Sequence, residues 1–242
     1  MATQLSIVND ILERLREDTV SSVADNSYSK LVGMFVNDAK QDMEDVNHEW
    51  SVYETEIDTT ILSDGTRTYD LTGTNDRSWL IRDSRPGYDQ VPLAYDITSG
   101  EVGQLFDCPL KVLRREYALT NNIVDVENPK VFAVSSDADG RGWTLTLLWG
   151  SNTTRNWRTY WYVPQADLAR DGTDDNTEIK LPRNPIYQRA LYYALNERGE
   201  ELGEPGGIAW ERSKLAISSA LESDMQVQKK SDELDITNLE NI

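Results

Sequence analysis

A single cysteine, Cys108, and a single histidine, His48, are all that 242 residues contain of either type. One cysteine permits no internal disulfide, which fits a reducing compartment. One cysteine and one histidine cannot build a zinc site of the usual kind. The same shortage removes Cys-His catalysis, and it removes Ser-His-Asp catalysis unless His48 is the base. Positive charge is also scarce. Lys and Arg total 24 against 42 Asp and Glu, a net charge of −18. Binding to the outside of duplex DNA needs clustered Lys and Arg, so that function is excluded. Anionic membrane surfaces are avoided for the same reason.

Long apolar runs are missing as well. The longest lies near Leu145–Trp149, far short of the ~20 residues that span a bilayer. Met1-Ala2-Thr3-Gln4 has neither a basic region nor an apolar core, so no signal peptide is expected. There is no Gly-rich phosphate loop ending in Gly-Lys-Ser/Thr and no dinucleotide fingerprint. There is no Gly-x-Ser-x-Gly elbow. No cofactor and no metal are expected, and no catalytic residue is assigned.

What is present is enough to fold. Hydrophobic residues make up 38% of the chain and aromatics 9%, too much for a disordered chain. Leu5, Val8, Leu12 and Leu15 recur at helical spacing, which predicts a helix over roughly 3–17. Asp25, Asn26 and Ser27 offer caps for a second helix. Its apolar side is Leu31, Val32, Phe35, Ala39, Met43, Val46 and Trp50, about 23 residues in all, with His48 late in it. The other face is polar and includes Asp38, Asp42, Glu44 and Asp45.

After Trp50 the period changes to two. Val52–Ile57 reads as a strand, and Ile61–Leu71 as a hairpin around Asp64-Gly65. Trp79–Ile81 reads as a strand, 83–90 as loop, and Pro109–Leu119 as a short helix. Val131–Val134, the turn 137–142, Trp143–Trp149 and Trp157–Val163 form the clearest β signal. Three consecutive strands at short spacing suggest an antiparallel sandwich or barrel. Residues 164–180 read as a polar surface loop. Asn184-Pro185 predicts a helix start, with Ile186, Ala190, Leu191 and Ala194 on its buried side. Gly203–Gly207 breaks that helix, and a last one follows over roughly 208–228. Its expected buried side is Leu215, Leu221 and Met225, with Ala216 and Ala220 nearby. Residues 231–242 read as a polar tail with spaced Leu234, Ile236, Leu239 and Ile242.

The expected fold is therefore α+β. An antiparallel helical bundle is formed by residues 1–50 and 182–230. A β-rich sandwich or barrel module, 51–181, is inserted, and 231–242 is an extended tail.

Motifs with chemical content are few. Asp137, Asp139 and Gly140 faintly match a calcium loop, but its fifth and twelfth positions hold Arg141 and Leu148. Asp171–Asp175 has oxygens without a fitting frame, and a solvated turn is the simpler reading. Carboxylate pairs beside Trp platforms would suit a glycan-degrading or glycan-binding tail component. Trp residues that alternate along strands, however, read first as core. The acidity is concentrated: residues 1–58 hold 13 acidic and 4 basic side chains. The bland reading is a solvated helix face. The sharper one is a negative wall that repels a passing polyanion.

The run Ile7-Val8-Asn9-Asp10-Ile11-Leu12, then Val20-Ser21-Ser22-Val23, then a long helix closing at Glu49-Trp50, is followed directly by strands and an Asp-Gly turn. This resembles the tail tubular protein A (head–tail adaptor) family of short-tailed phages. Lys130–Val134, the Trp143–Trp149 and Arg155–Val163 strands, and Leu181-Pro182 before a terminal helix agree with it. The resemblance implies a virion protein without catalytic residues, made in the host cytoplasm. It implies a homo-oligomeric ring, commonly of twelve copies, below the portal. Its implied partners are the portal protein, the tail nozzle protein, the tail fibres and further copies of itself. Genomic DNA would pass through the channel without specific binding, and no membrane is involved. Within that picture, Leu234, Ile236, Leu239 and Ile242 are expected to clasp the portal or a neighbouring subunit. Asp38, Asp42, Glu44 and Asp45 are expected to form an acidic face toward the DNA channel.

Overall fold

The structure, a computed structural model, describes residues 2–46, 48–82, 91–98, 103–119, 125–137, 139–199 and 204–239. The loop expected at 83–90 lies outside them. The fold is mixed α+β, and the chain divides into two units. Met1–Val52 joins Gln165–Ile242 in one, and Tyr53–Pro164 forms the other.

In the first unit, strand β1 (Ala2–Thr3) leads into helix α1 (Gln4–Arg14). The Thr3 hydroxyl accepts from the Ser6 amide, and Ser6 Oγ accepts from the Thr3 amide. This capping box satisfies amides that the helix leaves open. Ile7, Val8, Ile11 and Leu12 are buried, as their spacing requires. The Asn9 side chain then grips Val20 through both its amide and its carbonyl. Helix α2 (Ser27–Glu44) begins at Asn26, which forms a second capping box with Ser29.

Helix α2 is 18 residues long and stops short of Trp50. The reason is a substitution of partners. The Trp50 indole N–H donates to the Met43 carbonyl at 2.8 Å. That carbonyl is one of those orphaned at a helix C-terminus. Trp50 keeps the apolar spacing while the chain turns back, so His48 is not helical.

Residues 165–181, expected with the β module, belong to the helical unit. Lys40 Nζ donates to the Gln165 carbonyl at 3.0 Å. The Leu168 amide donates to Asn37 Oδ1, and the Val23 amide to Asp175 Oδ1. Strand β11 (Glu178–Ile179) pairs antiparallel with β1. The segment is tied down by its backbone groups and by the buried Asp175, while many of its other polar side chains stay exposed.

Helix α4 (Arg183–Glu197) starts after Pro182 without a side-chain cap, so Asn184 is not its N-cap. Pro185 sits in the first turn, where a missing N–H costs nothing. Helix α5 (Glu204–Leu239) has 36 residues, about 54 Å of length. It begins inside the expected breaker, with Pro205 in its first turn. It also runs through 231–239, which was expected to be an extended tail. That stretch has no Gly or Pro, so propagation meets no obstacle. Its buried side differs from expectation. Ala209, Ser213, Ala216 and Ala220 face inward, while Leu215 is 70% and Met225 53% exposed. Helix α1 packs on α2, α2 on α4, and α4 on α5.

The second unit holds two sheets. One runs β2 (Glu54–Ile61), β10 (Arg155–Tyr162), β5 (Ala94–Asp96) and β6 (Gly103–Gln104), with β4 (Trp79–Leu80) also paired to β10. The other runs β3 (Thr68–Leu71), β9 (Trp143–Leu147), β8 (Val131–Ser136) and β7 (Phe106–Asp107). The β7–β8 pair is parallel, so the module is not purely antiparallel. No closed barrel forms among the described residues. Helix α3 (Leu110–Leu119) follows β7. One core joins the two sheets: Ile57, Ile61, Trp157 and Trp161 from the first, Leu71, Phe132, Leu145 and Leu147 from the second. Phe132 meets Trp157 with ring centroids 6.1 Å apart.

The expected hairpin at Asp64-Gly65 is a turn between sheets. Gly65 adopts φ +80°, a conformation that suits glycine. Yet β2 pairs along its whole length with β10, and β3 pairs with β9. Likewise β8 and β9 form an antiparallel pair, while β10 crosses to the other sheet. Trp149 falls beyond the end of β9 and is half-buried, outside the core.

Trp161 is fully buried, so Trp161→Ala should cost about 3–5 kcal/mol in denaturant unfolding. Trp149→Ala should cost less than half as much, measured the same way.

Candidate functional site

The acidic side of α2 divides into four different environments. Glu44 turns inward. Its two carboxylate oxygens accept from Lys40 Nζ at 3.0 and 3.1 Å, with the two side chains 2% and 0% exposed. Glu44 therefore cannot present charge on an outer face, which corrects that expectation. The pair is one helical turn apart, and the sequence held that signal in the four-residue spacing.

Asp42 is engaged by α4. Arg189 Nε donates to its Oδ2 at 2.8 Å, and the Tyr193 hydroxyl donates to the same oxygen. Arg189 in turn lies over the Trp210 ring, 4.4 Å from its centroid. Burial, together with the hydrogen bond to Asp42, pushes Tyr193 up to about 12. Asp38 is half-buried. Burial pushes its carboxyl up, Arg170 opposes this, and Asp42 and Asp167 add to it. Asp45 caps the C-terminus of α2 and is exposed. Only Asp45 of the four is a fully solvated charge. Residues distant in sequence engage Asp42, Arg189 by an ion pair and Tyr193 by a hydrogen bond, and spacing within α2 cannot reveal them.

Helix α5 is fastened near its middle. Asp224 accepts from Ser51 Oγ at 2.6 Å, from the Ser51 amide at 3.1 Å, and from His48 Nε2 at 2.8 Å. A carboxylate only accepts, so Nε2 carries the proton. Gln228 Nε2 adds a bond to the Glu49 carbonyl. His48 is thus part of a strap holding α5, with both of its expected neighbours in chemistry, Ser and Asp, arranged around one carboxylate as acceptor. That geometry does not place a serine hydroxyl against an imidazole base.

On α5, Ile208, Leu215, Met225 and Val227 are exposed. Sequence reasoning assigned Leu215 and Met225 to the core, because small residues give a weak periodic signal. Leu234, Ile236 and Leu239 fall within the last turns of α5. Ile242 lies outside the described residues.

The aromatic side chains are mostly committed. Trp50, Trp157 and Trp161 are fully buried. Trp143 packs against Trp161 at 5.8 Å, and Trp210 carries Arg189. Trp79 stacks on Tyr162 at 4.1 Å and keeps its outer face exposed. The turns at Asp137 and Asp171 are internally bonded: Asp137 accepts from the Arg141 amide, and Asp171 from the Thr173 amide. The second bond, with the Thr173 side chain, holds Asp171 below the usual carboxylate range.

No protein-family model matches the sequence, and no curated protein matches it.

Glu44→Ala should destabilise by about 3 kcal/mol, because it leaves a buried ammonium with one partner fewer. Asp45→Ala should change stability by less than about 0.5 kcal/mol. Chemical denaturation of both variants checks the contrast.

Tyr193 gives a pH prediction. Its folded value lies above the unfolded one of about 10, so its contribution is complete below pH 10. It is lost as pH rises from there to about 12. Burial also pushes Tyr69, Tyr160 and Tyr187 up, so tyrosinate absorbance should show a broad late rise, and Tyr193→Phe should remove the part of it near pH 12.

Proposed function

We propose that this chain is a structural head-to-tail adaptor of a phage. In this reading copies assemble as a ring, of twelve if the family stoichiometry holds, that joins the portal to the tail nozzle and borders the DNA channel. The four packed helices α1, α2, α4 and α5 act as an antiparallel bundle and carry the ring and portal contacts. The two-sheet unit carries the nozzle and fibre contacts.

One observation carries this reading: a 36-residue helix with Leu215, Met225 and Val227 exposed. Large apolar side chains left on a helix surface fit a protein that completes itself against partners. Two further points support it. Both ends of the chain contribute to one helical unit, which offers long faces to neighbouring copies. The net charge of −18 suits a wall past which a polyanion slides. The commitment of Trp50, Trp157 and Trp161 to cores weighs against Trp platforms for glycans.

The mechanism is geometric. Subunits of equal sign repel in solution until apolar contacts outweigh the repulsion, so the portal acts as the template. Purified protein should sediment as a monomer at low salt and form rings only with portal, seen by electron microscopy. The variant Leu215→Glu with Met225→Glu should stay folded, since both sites are exposed, and should associate with portal at least ~10-fold more weakly. Rings formed without portal, or full association by the variant, would contradict the reading.

A further inference from the structure

The outer face of the β3-β9-β8 sheet is not left to solvent. Alternation sends Tyr69, Leu71, Trp143, Leu145 and Leu147 toward the core. It sends Thr68 and Asp70 on β3, Thr144 and Thr146 on β9, and Ser135 on β8 the other way. Register then arranges these in rows. Asp70 lies opposite Thr144, and Thr144 opposite Ser135; Thr68 lies opposite Thr146. Thr144 Oγ1 donates to Asp70 Oδ1 at 3.3 Å. Helix α3 crosses this face. It packs on β8 there; Leu113 of α3 is 3% exposed, and Ala133 of β8 is fully buried.

A helix on a sheet normally fills the interface with apolar side chains. Here a cleft of about 520 Å³ remains between α3 and the hydroxyl floor. That volume is in the range of small-molecule sites. Its walls hold two guanidinium groups, Arg67 from the segment before β3 and Arg114 from α3. Arg67 Nη2 also lies 3.4 Å from Asp125 Oδ1. Arg114 is exposed and carries no ion-pair partner among the described residues. Against one carboxylate, Asp70, the lining is net positive in a chain whose total is −18. Leu110 and Leu113 add an apolar edge.

We propose that this cleft binds a small polyol bearing one oxyanion, a sugar phosphate or a sugar acid. The Arg114 guanidinium recognises the oxyanion, which it can chelate with paired N–H donors, and Arg67, bonded to Asp125, adds its positive charge to the wall. Thr68, Ser135 and Thr146 each offer one donor and two acceptor positions, Thr144, whose hydroxyl proton goes to Asp70, offers an acceptor, and Asp70 accepts. A ligand with several hydroxyls satisfies such a floor, whereas a bare anion uses only its rim. The leucines meet the apolar side of a ring. Binding alone is assigned: glycoside hydrolysis by paired carboxyls needs two such groups, and Asp70 is the one that lines the cleft among the described residues. The inference rests on Tyr53–Pro164 alone and is independent of the adaptor reading.

The test is calorimetric titration of the full chain with glucose 6-phosphate, glucuronate, glucose and inorganic phosphate. At least one of the charged sugars should bind, and glucose and phosphate should each bind at least ~10-fold more weakly than it. Arg114→Ala should weaken the charged sugars by ~10-fold or more, while Arg115→Ala, on the exposed side of the same helix, leaves them unchanged. Thr146→Val, a second variant that removes one hydroxyl, should weaken them several-fold. Circular dichroism confirms that each variant is folded. Failure of both charged sugars to bind overturns the proposal. Glucose binding as tightly as they do overturns the oxyanion assignment, and phosphate doing so overturns the polyol assignment. Equal effects of Arg114→Ala and Arg115→Ala would place the binding elsewhere and also overturn it. If only one charged sugar binds, the source of the oxyanion is thereby identified.

Discussion

Forty-two carboxylates in a chain with 24 cations impose the constraint under which this protein folds. A carboxylate that approaches the interior must meet a donor or give up its charge. The structure meets this mainly with local and backbone donors. Even at the surface Asp25 takes three bonds from Ser22 and Ser21, which hold it below the usual carboxylate range. Asp175 accepts from the Val23 amide, and Asp224 from Ser51 and His48. Cations meet some of the others: Lys40 pairs with the buried Glu44, Arg155 with the buried Asp96, and Arg189 with the partly exposed Asp42. The remaining negative charge stays at the surface, where water screens it at little cost.

The same constraint explains why segments far apart in sequence are tied together by polar bonds. Asp175 pins 165–181 to the start of α2, and Asp224 pins α5 to the strap at 48–51. These bonds direct where α5 lies, and its small residues then allow close approach to α4. Ala209, Ser213, Ala216 and Ala220 bury little apolar area each, so packing of α5 relies on proximity more than on large side chains. The large ones, Leu215 and Met225, are free to face outward.

Legibility of the sequence follows from how local each determinant is. Helices α1 and α2 announce themselves, because Ile7, Val8, Ile11 and Leu12, and then Val32, Val36, Ala39 and Met43, repeat with the helical period and begin at complete capping boxes. Trp157 and Trp161 alternate on β10 and are core. What fails is choice of partner. The Asp64-Gly65 turn is readable, but whether β2 folds back on β3 depends on eight residues of β10 far along the chain. Trp50 keeps a helical spacing while ending the helix with its indole N–H. Lys40 and Glu44 read as surface charges until the Gln165 carbonyl is brought over them. On α5 the periodicity method gives weight to Leu and Met and none to Ala and Ser, so it selects the wrong face. At the hydroxyl face of β9, alternation assigns Thr144 to solvent correctly as a direction. It cannot foresee that α3 returns to cover it.

These points bear on how assembly would be controlled in the adaptor reading. Two opposing quantities sit on the helical unit: exposed apolar side chains that favour association, and an acidic surface that disfavours it. Apolar attraction acts only at contact, whereas repulsion between like charges extends over about a Debye length, ~8 Å at physiological salt. Free subunits therefore meet the repulsion before the attraction. A partner that holds one subunit in place lets the next gain contacts to two surfaces at once, and the extra buried area then outweighs the repulsion. Pairing Glu44 with Lys40 inside the unit keeps that balance tunable, because an exposed charge such as Asp45 can act between subunits without being needed by the fold. The acidity can then serve passage of a polyanion without being tied to stability of the subunit.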